Sequence, residues 1–230
     1  MPGIPAPGPG LNPGFSMPPF ISFEGLDGCG KTTQVRLLAD YLTRRDIPVA
    51  ELREPGGTPV GEAIRALLLS SRNRGLLPLS ELLLYYAARN QNLHRQIIPA
   101  QTQGKWVLCD RFADASAAYQ GYGRGLDLSL VETLDRMVNG GRKPDLTLLI
   151  DIEPSLSLAR ARNRNRRTGL DEGRFEAESL AFFHRVREGY LQIAAREPGR
   201  VRVLDGSRTI QALHREVVGL ISPFLPGGQV

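Results

Sequence analysis

Cysteine and lysine are scarce in this 230-residue chain, and no apolar run approaches membrane length. Two cysteines, Cys29 and Cys109, are too few for a disulfide framework and lack metal-ligand spacing, which excludes a stapled secreted scaffold and a zinc module. A membrane helix needs about 18 or more uninterrupted apolar residues, and none is present. Aromatics are 7% of the chain, too sparse for a stacked platform on nucleic acid, and no helix-turn-helix pattern stands out. The formal charge is +5, yet only Lys31, Lys105 and Lys143 among 29 basic residues are lysine. Such a skew toward arginine is compositional, so arginine abundance alone is poor evidence for a polyanionic partner. A soluble protein of a reducing, cytoplasmic compartment that binds neither membrane nor nucleic acid is the expectation.

What is present begins with a Pro- and Gly-rich, uncharged stretch that fits neither a signal peptide nor a membrane span. It reads as a disordered tail over 1–19, followed by a single domain over 20–225 and a flexible C-terminus over 226–230. The stretch GLDGCGKTTQ at 25–34 follows the apolar run FISFE. Gly25, Gly30, Lys31 and Thr32 match G-x-x-x-x-G-K-[ST], in which glycines let backbone amides turn inward and the next helix aims its positive end at phosphate. Lys31 would reach the β and γ phosphates, and the Thr32 hydroxyl would ligate Mg²⁺. A second strand, WVLCD at 106–110, ends in Asp110, the choice for the outer shell of that Mg²⁺. Asp151, closing DLTLLID, competes for the role, but no arginine follows it.

Strands at 20–24, 49–53, 106–110, 146–151 and 201–205 alternate with helices near 31–45, 59–71, 78–101, 113–120, 127–139, 154–164, 175–196 and 209–224. The expected fold is α/β: a doubly wound, parallel five-stranded sheet with helices on both faces, of phosphate-loop kinase type. Ligands of such sheets bind beyond the carboxyl ends of the strands, where Gly25, Glu54, Asp110 and Asp151 would cluster.

The acceptor is the next question. A hydrolase positions water and a hydroxyl kinase needs a base, for which Glu54 is the candidate. A nucleoside monophosphate is already anionic and needs cations between two phosphates and a lid against water. LARARNRNRRTGLDEGRFE at 158–176 supplies arginines at 160, 162, 164, 166, 167 and 174. Arg160 and Arg164 share a helix face, with Arg167 one turn further, so the reading is an arginine lid over about 160–174. The rivals are a kinase for another nucleotide or a deoxynucleoside, and a phosphate-loop ATPase or nucleic-acid-binding regulator.

FEGLDGCGKTTQ at 23–34, REPGGTPVGE at 53–62, YYAARNQ at 85–91, DRF with AYQGYGRG within 110–125, and RFE at 174–176 resemble the thymidylate kinase family in order and spacing. The resemblance runs from Phe20 to about Leu225. It implies transfer of the γ-phosphoryl group of Mg·ATP to dTMP, giving dTDP and ADP. It assigns ATP to Gly25, Leu26, Asp27, Gly28, Cys29, Gly30, Lys31, Thr32 and Thr33, with Thr32 and Asp110 at the metal. Asp27 would contact the 3′-hydroxyl, Arg111 would grip the acceptor phosphate, Tyr85 would stack on the base and Arg89 would bond a thymine carbonyl. Ser116, Tyr119 and Gln120 would line the nucleoside pocket, with Pro55 near it. Lys31, Arg111, Asp27, Arg160 and Arg164 are the implied catalytic set. Tyr85 replaces the usual Phe, Ala115 replaces a usual Ser, and Gly28 stands where one branch carries a catalytic arginine, leaving that cation to the lid. The family's homodimers imply a seam on the helices around 59–101 and 127–139.

Overall fold

The computed structural model describes residues 17–168 and 173–226. The remainder of the expected tail, part of the lid and the last four residues lie outside those ranges. Five parallel strands, β1 (Phe20–Glu24), β2 (Val49–Arg53), β3 (Trp106–Asp110), β4 (Leu146–Asp151) and β5 (Val201–Asp205), form one sheet in the order β2-β3-β1-β4-β5. The chain winds from central β1 to one edge and back through β3, then crosses to β4. That reversal opens a crevice above the carboxyl ends of β1, β3 and β4, where Phe23 pairs with Asp110 and Glu24 with Leu149.

Strand alternation decides what each face meets. Ile21 and Phe23 of β1, with Leu108, Leu148 and Ile150, pack against helices α1 (Lys31–Thr43) and, later in the chain, α9 (Ile210–Ile221) through Leu38, Leu42, Val217 and Ile221. The opposite face presents Phe20, Val107 and Cys109 to Leu93, Ile97 and Phe112. Further along that face, Leu149 meets Phe182, Phe183 and Val186 of α8 (Leu180–Arg196). Ser22 and Glu24 also point to this second side, where Ser22 Oγ and Thr147 Oγ1 lie 2.8 Å apart in a hydrogen bond.

All the expected strands form; the helices expected near 31–45, 59–71 and 209–224 stop two or three residues short, that near 154–164 runs four residues past expectation, and the other differences are interruptions. The segment at 78–101 is α3 (Pro78–Asn92), a π-helical turn at Leu93–Ile97 and α4 (Ile98–Thr102). Pro99 has no N–H to return to the preceding turn, which widens there. Likewise α5 (Ala113–Ser116) runs into a π-helical turn at Ala117–Gly123. The helix expected over 175–196 is a 3₁₀ turn at Phe175–Ala177 and then α8, because the Ser179 side chain caps α8 by accepting from Phe182 N at 3.2 Å. The other helices are α2 (Pro59–Leu69), capped by Thr58 with Pro59 in its first turn, α6 (Leu128–Asn139) and α7 (Pro154–Thr168).

Candidate active site

Residues 25–30 turn from β1 into α1. Gly25 has φ 132°, and a Cβ there would lie 2.3 Å from Ile150 O; Gly28 has φ 80°, and its Cβ would press on Ser157 O and Ala161 N of α7. The backbone of α7 thus leaves no room for a side chain at Gly28. Leu26 and Cys29 are buried in the core, and the Cys29 sulfur also accepts from Lys31 Nζ at 3.7 Å. Thr33 is exposed in the first turn of α1. Lys31 folds back over the loop, donating from Nζ to Gly25 O at 3.1 Å and Leu26 O at 2.9 Å. Thr32 Oγ1 donates to Asp110 Oδ2 at 2.5 Å, and both border a wide cleft. The competing acid, Asp151, accepts from Arg187 with both oxygens at 2.7 and 2.8 Å and is committed to α8.

Arg111 follows β3 in a left-handed conformation, φ 74°, which costs a non-glycine residue energy and turns its side chain into the crevice. Its Nη2 donates to Asp27 Oδ1 at 3.0 Å and Tyr119 OH at 3.1 Å, and Nη1 donates to Tyr190 OH at 3.1 Å. A 2.8 Å hydrogen bond joins Tyr190 OH and Glu24 Oε2, and Glu24 Oε1 accepts from Phe112 N at 2.6 Å. Burial foremost, then the charge of Asp114, pushes the Glu24 carboxyl up to about 8 against the pull of Arg111. Asp27 behaves oppositely. Burial works against its ionised form, but Arg111, Lys31 and Arg164 outweigh that and hold it down to about 2.

Beside Arg111 lies a second, smaller cavity of about 70 Å³ that opens to solvent. Asp27, Pro55, Tyr85, Arg111, Ser116, Tyr119 and Gln120, drawn from five separate stretches of sequence, all line it. Tyr85 packs against the cluster of Tyr119 and Phe175, and Ser116 Oγ is buried without a partner. Arg89 stands behind this wall, 1% exposed, with Nε donating to Glu54 Oε2 at 2.7 Å and Nη2 to Phe112 O at 3.0 Å. Its Nη1 is buried with no partner. Asn92 Nδ2 donates to Glu54 Oε1 at 3.1 Å, so each Glu54 oxygen accepts from one buried donor, and Glu54 also borders both the cavity and the wide cleft. Burial raises the Glu54 carboxyl, with Arg89 and Asn92 pulling it back.

With this geometry in view, the comparisons are direct. The family model described as thymidylate kinase matches residues 23–217. The chain belongs to the thymidylate kinase family. It is 52% identical over 193 residues to a thymidylate kinase of Geobacter sp. (strain M21), covering 84% of this chain and 86% of that one. It is 50% identical over 212 residues to the thymidylate kinase of Syntrophotalea carbinolica, covering 91% and 98%. A crystal structure of thymidylate kinase from Ehrlichia chaffeensis superimposes with a TM-score of 0.71 at 37% identity, over 90% of this chain and 99% of that chain. Members of this family transfer the γ-phosphoryl group of ATP to dTMP, giving dTDP and ADP, and the chain is such a nucleotide phosphotransferase.

The two lid arginines separate. Arg164 borders the wide cleft and acts on Asp27, whereas Arg160 Nη1 reaches to Gly206 O at 3.4 Å, toward the β5–α9 connection. Residues 169–172, which include Gly169 of the lid, lie outside the described residues. Sequence reasoning missed Arg65, Leu69 and Phe175 in the cavity wall. Arg65 and Leu69 are one helical turn apart just after the REPGGTPVGE stretch, the signal that could have found them. Tyr190 lies 166 residues from Glu24 and 79 from Arg111, and no local pattern marks it.

Proposed function

We propose that dTMP occupies the cavity between Asp27 and Tyr119 with its phosphate on Arg111, and that ATP lies along residues 25–33 in the adjoining cleft. One observation carries this reading: Asp27 and Arg111 border both the small cavity and the wide cleft, so a phosphate held there meets a phosphate held by the loop. Arg111 is anchored by three oxygens, and a forked guanidinium suits a phosphate better than a lysine point charge. Asp27, ionised at neutral pH, accepts the 3′-hydroxyl and Tyr85 stacks on the base, while Arg89, buried behind the wall, reaches a carbonyl of it only if that wall shifts on binding. Lys31 leaves its carbonyl partners for the donor's phosphates, and Arg164 supplies the lid charge. The hard oxygens of Thr32 and Asp110 fit Mg²⁺, which when bound would offset charge on the donor phosphates. The chain's substrates and its two free, buried thiols fit a cytoplasmic enzyme, and the exposed apolar residues of α2, α3 and α6 support a homodimer.

The test measures ADP release from Mg·ATP with dTMP, dGMP, AMP and thymidine offered separately, for the wild-type enzyme and Arg111→Ala. Turnover favours dTMP, and Arg111→Ala slows it by about a hundredfold or more. Near-normal turnover by the variant overturns the acceptor-phosphate assignment.

A further inference from the structure

Glu81, in the first turn of α3, is fully buried and accepts from three side chains. Oε1 accepts from Gln120 Nε2 at 2.7 Å and Arg124 Nε at 3.3 Å; Oε2 accepts from Arg124 Nη2 at 3.0 Å and Arg174 Nη1 at 2.6 Å. None of the motifs read from the sequence includes it. A carboxylate has no proton to give, so Gln120 must turn its NH₂ group toward Glu81. The amide oxygen is then the end left for the cavity that Gln120 lines.

We propose that Glu81 is a positioning residue for base selection: by taking both the Gln120 amide and two arginines, it fixes the Gln120 oxygen as an acceptor toward the bound base. An acceptor there favours a pyrimidine with a ring N–H, as in thymine, over cytosine, whose corresponding nitrogen is itself an acceptor. That acceptor matches the ring N–H of thymine and opposes the ring lone pair of cytosine. A site built to hydrogen-bond one pattern rejects the other far more strongly than a size difference does. The inference rests on the nucleoside lying in the Asp27–Tyr119 cavity.

The experiment compares KM, kcat and the dTMP-to-dCMP ratio of kcat/KM in the wild-type enzyme, Glu81→Gln, Glu81→Asp and Gln120→Met. In Glu81→Gln the new amide donates as well as accepts, so Gln120 is free to turn over. The dTMP KM rises roughly tenfold and the selectivity ratio falls at least tenfold, with kcat little changed. Glu81→Asp keeps the charge that Arg124 and Arg174 face but withdraws it by one methylene, and moves both quantities the same way. A purely structural role lowers the melting temperature without moving the ratio. Folded Glu81 variants with wild-type KM and ratio overturn the proposal. If Gln120→Met also changes neither, the nucleoside is not seated in this cavity and the site assignment falls too; if Gln120→Met changes both, only the role of Glu81 falls. Should both Glu81 variants fail to fold, the wild-type enzyme decides by NMR. The Gln120 NH₂ signals, assigned by their loss in Gln120→Met, show slowed hydrogen exchange before substrate is added. Exchange as fast as that of exposed glutamine amides overturns the proposal.

Discussion

A carboxylic acid that stays protonated at neutral pH is a structural hydrogen-bonding group, and Glu24 is one. Burial and the Asp114 charge raise it from 4.5 to about 8 despite Arg111. A carboxyl raised in the folded state contributes stability fully below its unfolded value and loses it as pH rises toward its folded value. Between about 4.5 and 8 the unfolded chain has released this proton and the folded one has not, so stability falls by up to about 1.4 kcal/mol per pH unit. Glu24→Gln carries the neutral shape permanently, and the difference in melting temperature between variant and wild type shifts in favour of the variant from pH 5.5 to 9. A constant difference would mean that Glu24 titrates normally. Asp27 has the opposite sign: held down to about 2, its contribution is present above 3.8 and is lost only in acid. At this scale sequence and structure part company. Asp27 and Arg111 sit in motifs whose chemistry is local, whereas Glu24, Tyr190 and Glu81 act through partners 39 to 166 residues away. Contacts at that separation leave no trace in spacing or periodicity.

At the scale of elements, apolar runs marked β1, β3 and β4, which are buried almost throughout, and β5, buried at Val201 and Leu204; β2, at the sheet edge, is only half-buried. Interruptions were harder to see: Pro99 widening a helix into a π turn and Ser179 capping α8 are read clearly only once their hydrogen bonds are known. The fit between α8 and the Ala117–Gly123 turn was equally hidden. A Cβ on Gly189 of α8 would lie 2.6 to 2.8 Å from Tyr122, and one on Gly123 would lie 2.7 Å from Phe182 and Val186. Alanine in a helix interior normally gains about 1 kcal/mol over glycine, but overpacking costs about 1 to 3 kcal/mol, so the clash prevails here. Gly189→Ala is therefore less stable in urea unfolding and, since the displaced turn carries Tyr119 and Gln120, raises the dTMP KM. Gly219 of α9, with nothing near its missing Cβ, is the control: Gly219→Ala gains up to about 1 kcal/mol. Equal gains at both positions would show that α8 and the turn adjust without cost.

Over the whole molecule, one sheet with a central β1 sets the phosphate loop, the end of β3 and Arg164 of α7 around a single crevice, with helices packed on both faces of the sheet. The site occupies the carboxyl end, so the flanks of the helices are left for other uses. On α2, α3 and α6, which pack consecutively, Val60, Leu67, Leu83 and Met137 are 49 to 74% exposed. Periodicity could not separate such residues from core, because a seam and a core follow the same helical repeat. Under the homodimer proposed above, these exposed apolar side chains on neighbouring helices would form the association surface. Sedimentation equilibrium then reports a dimer for the wild-type chain. Placing like charges on the seam, as in Leu83→Glu with Met137→Glu, opposes burial on both copies at once and shifts the equilibrium to monomer while leaving the helices folded. A wild-type monomer at high concentration, or a charged variant that dimerises as tightly as the parent, would assign these faces to solvent.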